Sequence, residues 1–300
     1  MIFARMRPFI RRGMVALAVS ILVVLVLGAL FAPQLLPYDP EEVALENKFA
    51  SPGQEHILGC DHLGRDVASR LLHGARTSLG AVAVIACVIL TLGVAVGATA
   101  GYAGGAVDNA LMRFCDIFLV FPTFILAMFL IGVLGTGLVN VVLAVSLTHW
   151  AWYARIIRGF VLSLKHREYV LAAKVSGTGR VATVLRHVLP PVFAQLAILI
   201  TLDVGHMMMH VSGLSFLGLG VTPPTPEWGV MIADARQYVW THPELIMYPG
   251  LAIFITVMAC NYLGDALRDA LDPHSREHQA VEREVVEHVP GYDSLAEVRS

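Results

Sequence analysis

Charge is scarce in this 300-residue chain: Asp, Glu, Lys and Arg make up 15% of it, against 56% hydrophobic residues. A soluble protein of this length needs many more charged side chains to cover its surface, so an aqueous globular fold is disfavoured. Cysteine is thin as well. Cys60, Cys87, Cys115 and Cys260 show no C-x-x-C spacing, which argues against a disulfide framework or zinc site and for isolated buried thiols. No G-x-x-x-x-G-K-[ST] phosphate loop occurs, so ATP hydrolysis by this chain is excluded. No H-E-x-x-H occurs, which removes a zinc metalloprotease. The net charge of -2 is distributed by loop and says nothing about partners.

What is present is apolar and gathered into long runs, the pattern that suits lipid as the solvent. Crossing about 30 Å of hydrocarbon takes roughly 20 mostly apolar residues. Six stretches qualify: Met14 to Phe31, Leu79 to Gly101, Phe114 to Leu134, Leu138 to Tyr153, Val192 to Leu217 and Tyr248 to Leu267. The first follows Arg5, Arg7, Arg11 and Arg12, as a signal peptide would. Its apolar stretch is longer than a typical h-region and no small-residue cleavage site precedes Pro33, so it reads as a retained helix.

Lys and Arg in alternate loops set the orientation. With the N-terminus inside, 16 of the 21 fall on the inner side, seven of them between Arg155 and Arg186. Lys48, Arg65, Arg70, Arg76 and Arg236 fall outside. Both termini are therefore expected in the cytoplasm. The inner segment ARIIRGFVLSLKHREYVLAAKVSGTGRVATVLRHVLPP predicts two short amphipathic helices, broken near Ser176-Gly177-Thr178-Gly179 and stopped at Pro190-Pro191. A basic loop or a membrane-surface helix explains its charge, but not the small residues Ala172, Ala173 and Gly177 within it.

The run YVLAAKVSG followed by RHVLP resembles the cytoplasmic signature of ABC importer permeases, with Leu171 where a glutamate is usual. The outer segment HILGCDHLGRDVASRLLHGARTSLG, with Cys60 replacing a threonine, is similar to that of the oligopeptide and dipeptide permeases. LSFLGLGVTPPTPEWGVMIADAR and GDALRDALDP match the same branch, so the resemblance covers most of residues 50–275. LTHWAWYARIIR and TLDVGHMMMHVSGLSFLG look closer to its nickel-import members.

The resemblance implies an all-α integral membrane protein of about six transmembrane helices with a cytoplasmic coupling-helix loop. Residues 1–75 would form the N-terminal arm, first span and outside loop, 76–272 the ABC permease core, and 273–300 a cytoplasmic tail. Ala172, Ala173, Gly177, Leu189 and Pro190 match the segment that couples to the ATPase. Implied partners are ATPase subunits, a second related permease in a heterodimer, an extracytoplasmic substrate-binding protein and membrane lipid, with no nucleic acid. No cofactor is implied, and the setting is a bacterial cytoplasmic membrane. The implied function is ATP-driven import of nickel or a metal chelate; import of dipeptides or oligopeptides is the alternative, and a stand-alone channel or secondary transporter the third.

Within the fifth span, His206 and His210 are i and i+4 and share a helix face, with Asp203 one turn earlier. Peptide permeases tend to carry an acidic residue where His210 stands. Ionisable residues within a span face the protein interior or a water-filled path. The histidines either line a translocation route and briefly contact a metal or metal chelate, with Met207, Met208 and Met209 as soft neighbours, or hydrogen-bond across helices. Two histidines alone make an incomplete metal site. Asp203 is costly in an apolar run without a partner, and fits a residue that orients an imidazole. His149, Trp150, Trp152 and Tyr153, at the end of the fourth span, read as an interfacial aromatic belt. Arg65 and Asp66 are expected to fix the outer loop, and GVTPPTPEWGVMIADARQYVWTHPEL to pack as a re-entrant or surface helix.

Overall fold

The computed structural model describes residues 2–271, with side chains from Gly13 onward; the expected cytoplasmic tail lies outside the described residues. Eleven α-helices occur among them and no β-strand. In order they are α1 (Ile2–Leu30), α2 (Ala32–Leu35), α3 (Val67–Ala103), α4 (Gly105–Leu119), α5 (Thr123–Leu134), α6 (Leu138–Leu164), α7 (Glu168–Val175), α8 (Arg180–Thr183), α9 (Leu189–Phe216), α10 (Trp228–Ala235) and α11 (Glu244–Leu271).

Four helical stretches are long and apolar enough to cross a membrane: Gly13–Leu30, Val67–Ala103, Arg180–Phe216 and Glu244–Leu271. The expected third span is not one helix. It breaks between α4 and α5 with a bend of 81°, and counts as a fifth span only as a bent pair. The cause is Pro122, whose ring disfavours helical geometry at Phe121 and whose nitrogen has no proton to give. α6 is the sixth stretch of spanning length, 27 residues or about 40 Å. Asn140, Thr148, His149, Arg155 and Arg158 leave it less apolar than the four.

Two other boundaries move. α3 begins twelve residues before the expected Leu79, because Asp66 accepts a hydrogen bond from Ser69 N at 2.7 Å and caps the helix there. The expected stop at Pro190-Pro191 does not occur. α8 runs through a π-turn, Val184–Val188, straight into α9, with Leu189 N bonding Val184 O. The wider turn relieves the clash of proline rings with the preceding carbonyls, and first-turn positions need no N–H donor.

The bundle is organised on the contact between α3 and α6, the most extensive of any helix pair. Gly93, Gly97 and Gly101 recur every four residues and let the backbones close up, as small residues do in membrane helices. A Cβ at Gly97 would stand 2.4 Å from Ala154 O, and one at Gly101 2.9 Å from Val161 Cβ. α9 packs on α11 and against both α3 and α6. Between α4 and α6, Asp108 accepts two bonds from Arg158, at 2.5 and 2.7 Å, and Asp116 pairs with Arg155.

The loop before α3 is pinned by charges, its own and one from α10. Arg65 donates to Asp61 at 2.6 Å and to Asp234 at 2.9 Å, while Asp66 also contacts His56 at 2.9 Å. Burial, with Asp66 and Asp61 nearby, pushes the Cys60 thiol up to about 11, so it is inert at neutral pH. α10 is embedded, not superficial. Its cap Glu227 and Trp228 are fully buried, Gly229 rests on Ser212, and Trp228 Nε1 donates to Leu71 O.

Candidate translocation site

Polar side chains inside a span persist only with partners, and Asp203 has them. It is buried on α9, and its Oδ2 meets two groups of α6: His149 Nε2 at 2.9 Å and Tyr153 OH, which donates at 2.9 Å. Its Oδ1 lies 3.3 Å from His206 Nδ1, one turn along the same helix. His210 sits one turn further and donates from Nδ1 to His206 O at 2.6 Å, the carbonyl being able only to accept. Its ring lies 6.2 Å from that of His149 and 5.8 Å from that of Phe124. The three expected path residues are thus gathered in one cluster, extended by two that sequence reasoning placed elsewhere. His149 and Tyr153 are not belt residues: Tyr153 and Trp150 are buried, and of the aromatic pair Trp150 and Trp152 only the latter is exposed. Aromatics join a belt when they end on lipid headgroups; α6 instead continues eleven residues beyond Tyr153. Among the described residues no group of three or more His, Cys, Asp or Glu is arranged to hold a metal ion.

Of the second group of expected residues, Leu189 and Pro190 lie about 20 Å from Asp203 towards the start of α9, at the 1.5 Å rise per residue of a helix. Ala172 and Ala173 are on α7, and Gly177 makes the turn into α8 with φ +83, a conformation natural only to glycine. Leu189 and Pro190 stand apart from these, behind the π-turn at the base of α9. Val170 anchors α7 in the bundle, and Lys174 Nζ lies 5.5 Å over the Tyr102 ring. A cavity of about 760 Å³, lined by Tyr102, Lys165, Lys174 and Arg180 among others, separates the rest of the hairpin from α3. Two apolar side chains of the hairpin are left open, Val175 at 89% exposed and Val181, on the lining of that cavity, at 72%.

Residues 90–277 match the family described as "Binding-protein-dependent transport system inner membrane component". The chain belongs to that family. Residues 5–52 of this permease also match the N-terminal TM domain of oligopeptide transport permease C. The permease is 55% identical over 263 residues to the nickel transport system permease protein NikC of Escherichia coli (strain K12), covering 88% of this chain and 95% of that one. It is 42% identical over 257 residues to the metal-staphylopine import system permease protein CntC of Staphylococcus aureus (strain NCTC 8325 / PS 47), covering 86% and 89%. The glutathione transport system permease protein GsiD of Escherichia coli O6:K15:H31 is 40% identical over 268 residues, covering 89% and 88%.

The permease is therefore an all-α, multi-pass component of the inner membrane and a subunit of an ABC importer, not its ATPase. Its family works with a separate ATPase and a substrate-binding protein.

Proposed function

We propose that this permease carries nickel or a nickel chelate inward past the α9 face that bears Asp203, His206 and His210. The observation that carries the reading is an imidazole, His206, with 77% of its side chain exposed on a membrane helix. A polar group so placed belongs in a water-filled path or against another protein, not in lipid. The 55% identity to NikC of Escherichia coli supports the cargo. The similarity to GsiD favours a second cargo class, small peptides such as glutathione. Uptake of radiolabelled nickel, in cells lacking the permease and cells given it back, separates the two. Permease-dependent nickel uptake that ignores a dipeptide and glutathione mixture is expected. Uptake of those peptides without any of nickel would reverse the assignment.

The permease works beside a related second permease as a heterodimer in the lipid bilayer, with both termini cytoplasmic, an orientation supported by 16 of its 21 Lys and Arg falling on that side. The hairpin of α7 and α8 meets the ATPase. Ala172, Ala173 and Gly177 give the partner a close approach, and Leu189 and Pro190 set the base of α9 behind it. Exposed Val175 and Val181 support a docking surface on the hairpin. A Gly177→Val permease is expected to lose more than ten-fold in uptake and to co-purify poorly with the ATPase. No atom stands within 4 Å of a Cβ built there, so the loss arises from strain at φ +83 and not from a clash inside the bundle. Wild-type uptake in that variant would remove α7 from the coupling role.

A further inference from the structure

Of the two α9 imidazoles, His210 has its tautomer fixed by a hydrogen bond, and His206 has the same one favoured by a nearby carboxylate. His210 Nδ1 donates to a backbone carbonyl that can only accept, so its proton is on Nδ1 and its Nε2 carries a lone pair. His206 Nδ1 faces the Asp203 carboxylate, an acceptor whose other oxygen is fixed by His149 and Tyr153. Among the described residues no hydrogen bond reaches Nε2 of either ring. A carboxylate or carbonyl behind Nδ1, with Nε2 left open, is the outer-shell arrangement that orients histidines toward metals. Residues at i and i+4 have Cβ atoms about 5–6 Å apart, the spacing at which two helical imidazoles converge on one ion.

Resting on the nickel reading above, we propose that His206 and His210 present paired Nε2 lone pairs to a divalent metal of borderline softness, the class that imidazole suits. The metal arrives with the remainder of its coordination sphere held by water or a small chelator, and must offer two adjacent exchangeable positions. The two imidazoles replace the ligands at those positions and are replaced in turn. No redox change or covalent bond to carbon is involved. Two donors, against the four of a closed structural site, give a hold weak enough for a conduit. His149 has its Nε2 committed to Asp203, so only its Nδ1 is left to offer and it does not share the Nε2-open arrangement of the pair.

The probe is copper(II) iminodiacetate, a chelate with two adjacent open positions, titrated into the assembled importer in lipid nanodiscs. Pulsed electron paramagnetic resonance counts the imidazole nitrogens on copper. Two are expected in the wild type, and one or none, with at least ten-fold weaker binding, in His206→Ala and in His210→Ala. His206 is exposed, so its removal leaves the bundle intact, and gel filtration of the complex verifies this. A two-imidazole signature absent from the wild type, or surviving in both variants, overturns the pair. Radiolabelled nickel uptake is measured on the same proteins. Wild-type uptake that changes less than two-fold in the double variant overturns the pair and leaves nickel as cargo. A two-imidazole signature without nickel uptake by the wild type supports the pair as metal donors and overturns the cargo.

Discussion

A Gly97→Leu permease is expected not to accumulate as a folded protein, its gel-filtration peak in mild detergent falling below a tenth of wild type. A Cβ alone would stand 2.4 Å from Ala154 O and 2.9 Å from Ile157 Cβ. The first obstacle is backbone, which cannot rotate aside, so α6 must withdraw along the contact that organises the bundle. Overpacking in cores costs about 1–3 kcal/mol when side chains can give way. Here they cannot, and the loss should exceed about 4 kcal/mol, enough to unfold a marginally stable protein. Gly80→Leu is the matched control, on the same helix with nothing within 4 Å of the added Cβ. Equal peaks for the two variants would show that the glycine spacing on α3 does not govern the packing.

Glu227→Ala should have the next largest effect. The carboxylate is fully buried; Oε1 accepts from Ser78 Oγ at 2.9 Å and Ser212 Oγ at 3.0 Å, and Oε2 from Val230 N at 3.0 Å. It therefore joins α3, α9 and α10 at one point. Removing it strands buried donors at about 1–3 kcal/mol each. The sum is not additive, and a loss of roughly 3–5 kcal/mol is expected. That corresponds to a fall of roughly 10 °C in the unfolding midpoint. Adding Ser78→Ala and Ser212→Ala should recover part of the loss, because deleting both partners is milder than deleting one. An unchanged midpoint in Glu227→Ala would mean that α10 is held by Trp228 alone.

The spans were legible because a run of about 20 apolar residues has few other uses. The outer loop was legible because Arg65 and Asp66, buried beside a helix start, have little to do but pair and cap. Prolines were harder. Pro122 broke a span that hydropathy alone made continuous, whereas Pro190 and Pro191 did not end a helix that local rules would stop. The difference is tertiary: a π-turn absorbs the second pair, and no sequence rule announces it. Within the cluster, the need of Asp203 for a partner was visible, but the partner was not. Its identity lies in depth. His149 stands fifteen residues from the end of α6 at Leu164, and Asp203 fourteen from the start of α9 at Leu189, so the two meet once the helices are laid side by side. Composition at a span end suggested a belt because it scores residue types, and depth does not enter it.

α7 is strung between α6 and α9, and those two helices are joined a second time at mid-span by Asp203, His149 and Tyr153. Two struts fixed together at two heights form a braced frame. Such a frame tilts as one piece and resists scissoring, so under the proposed coupling a push at the hairpin is expected to arrive at His206 as rotation of the whole pair, with its angle set by the crossbar and not by the flexibility of either strut.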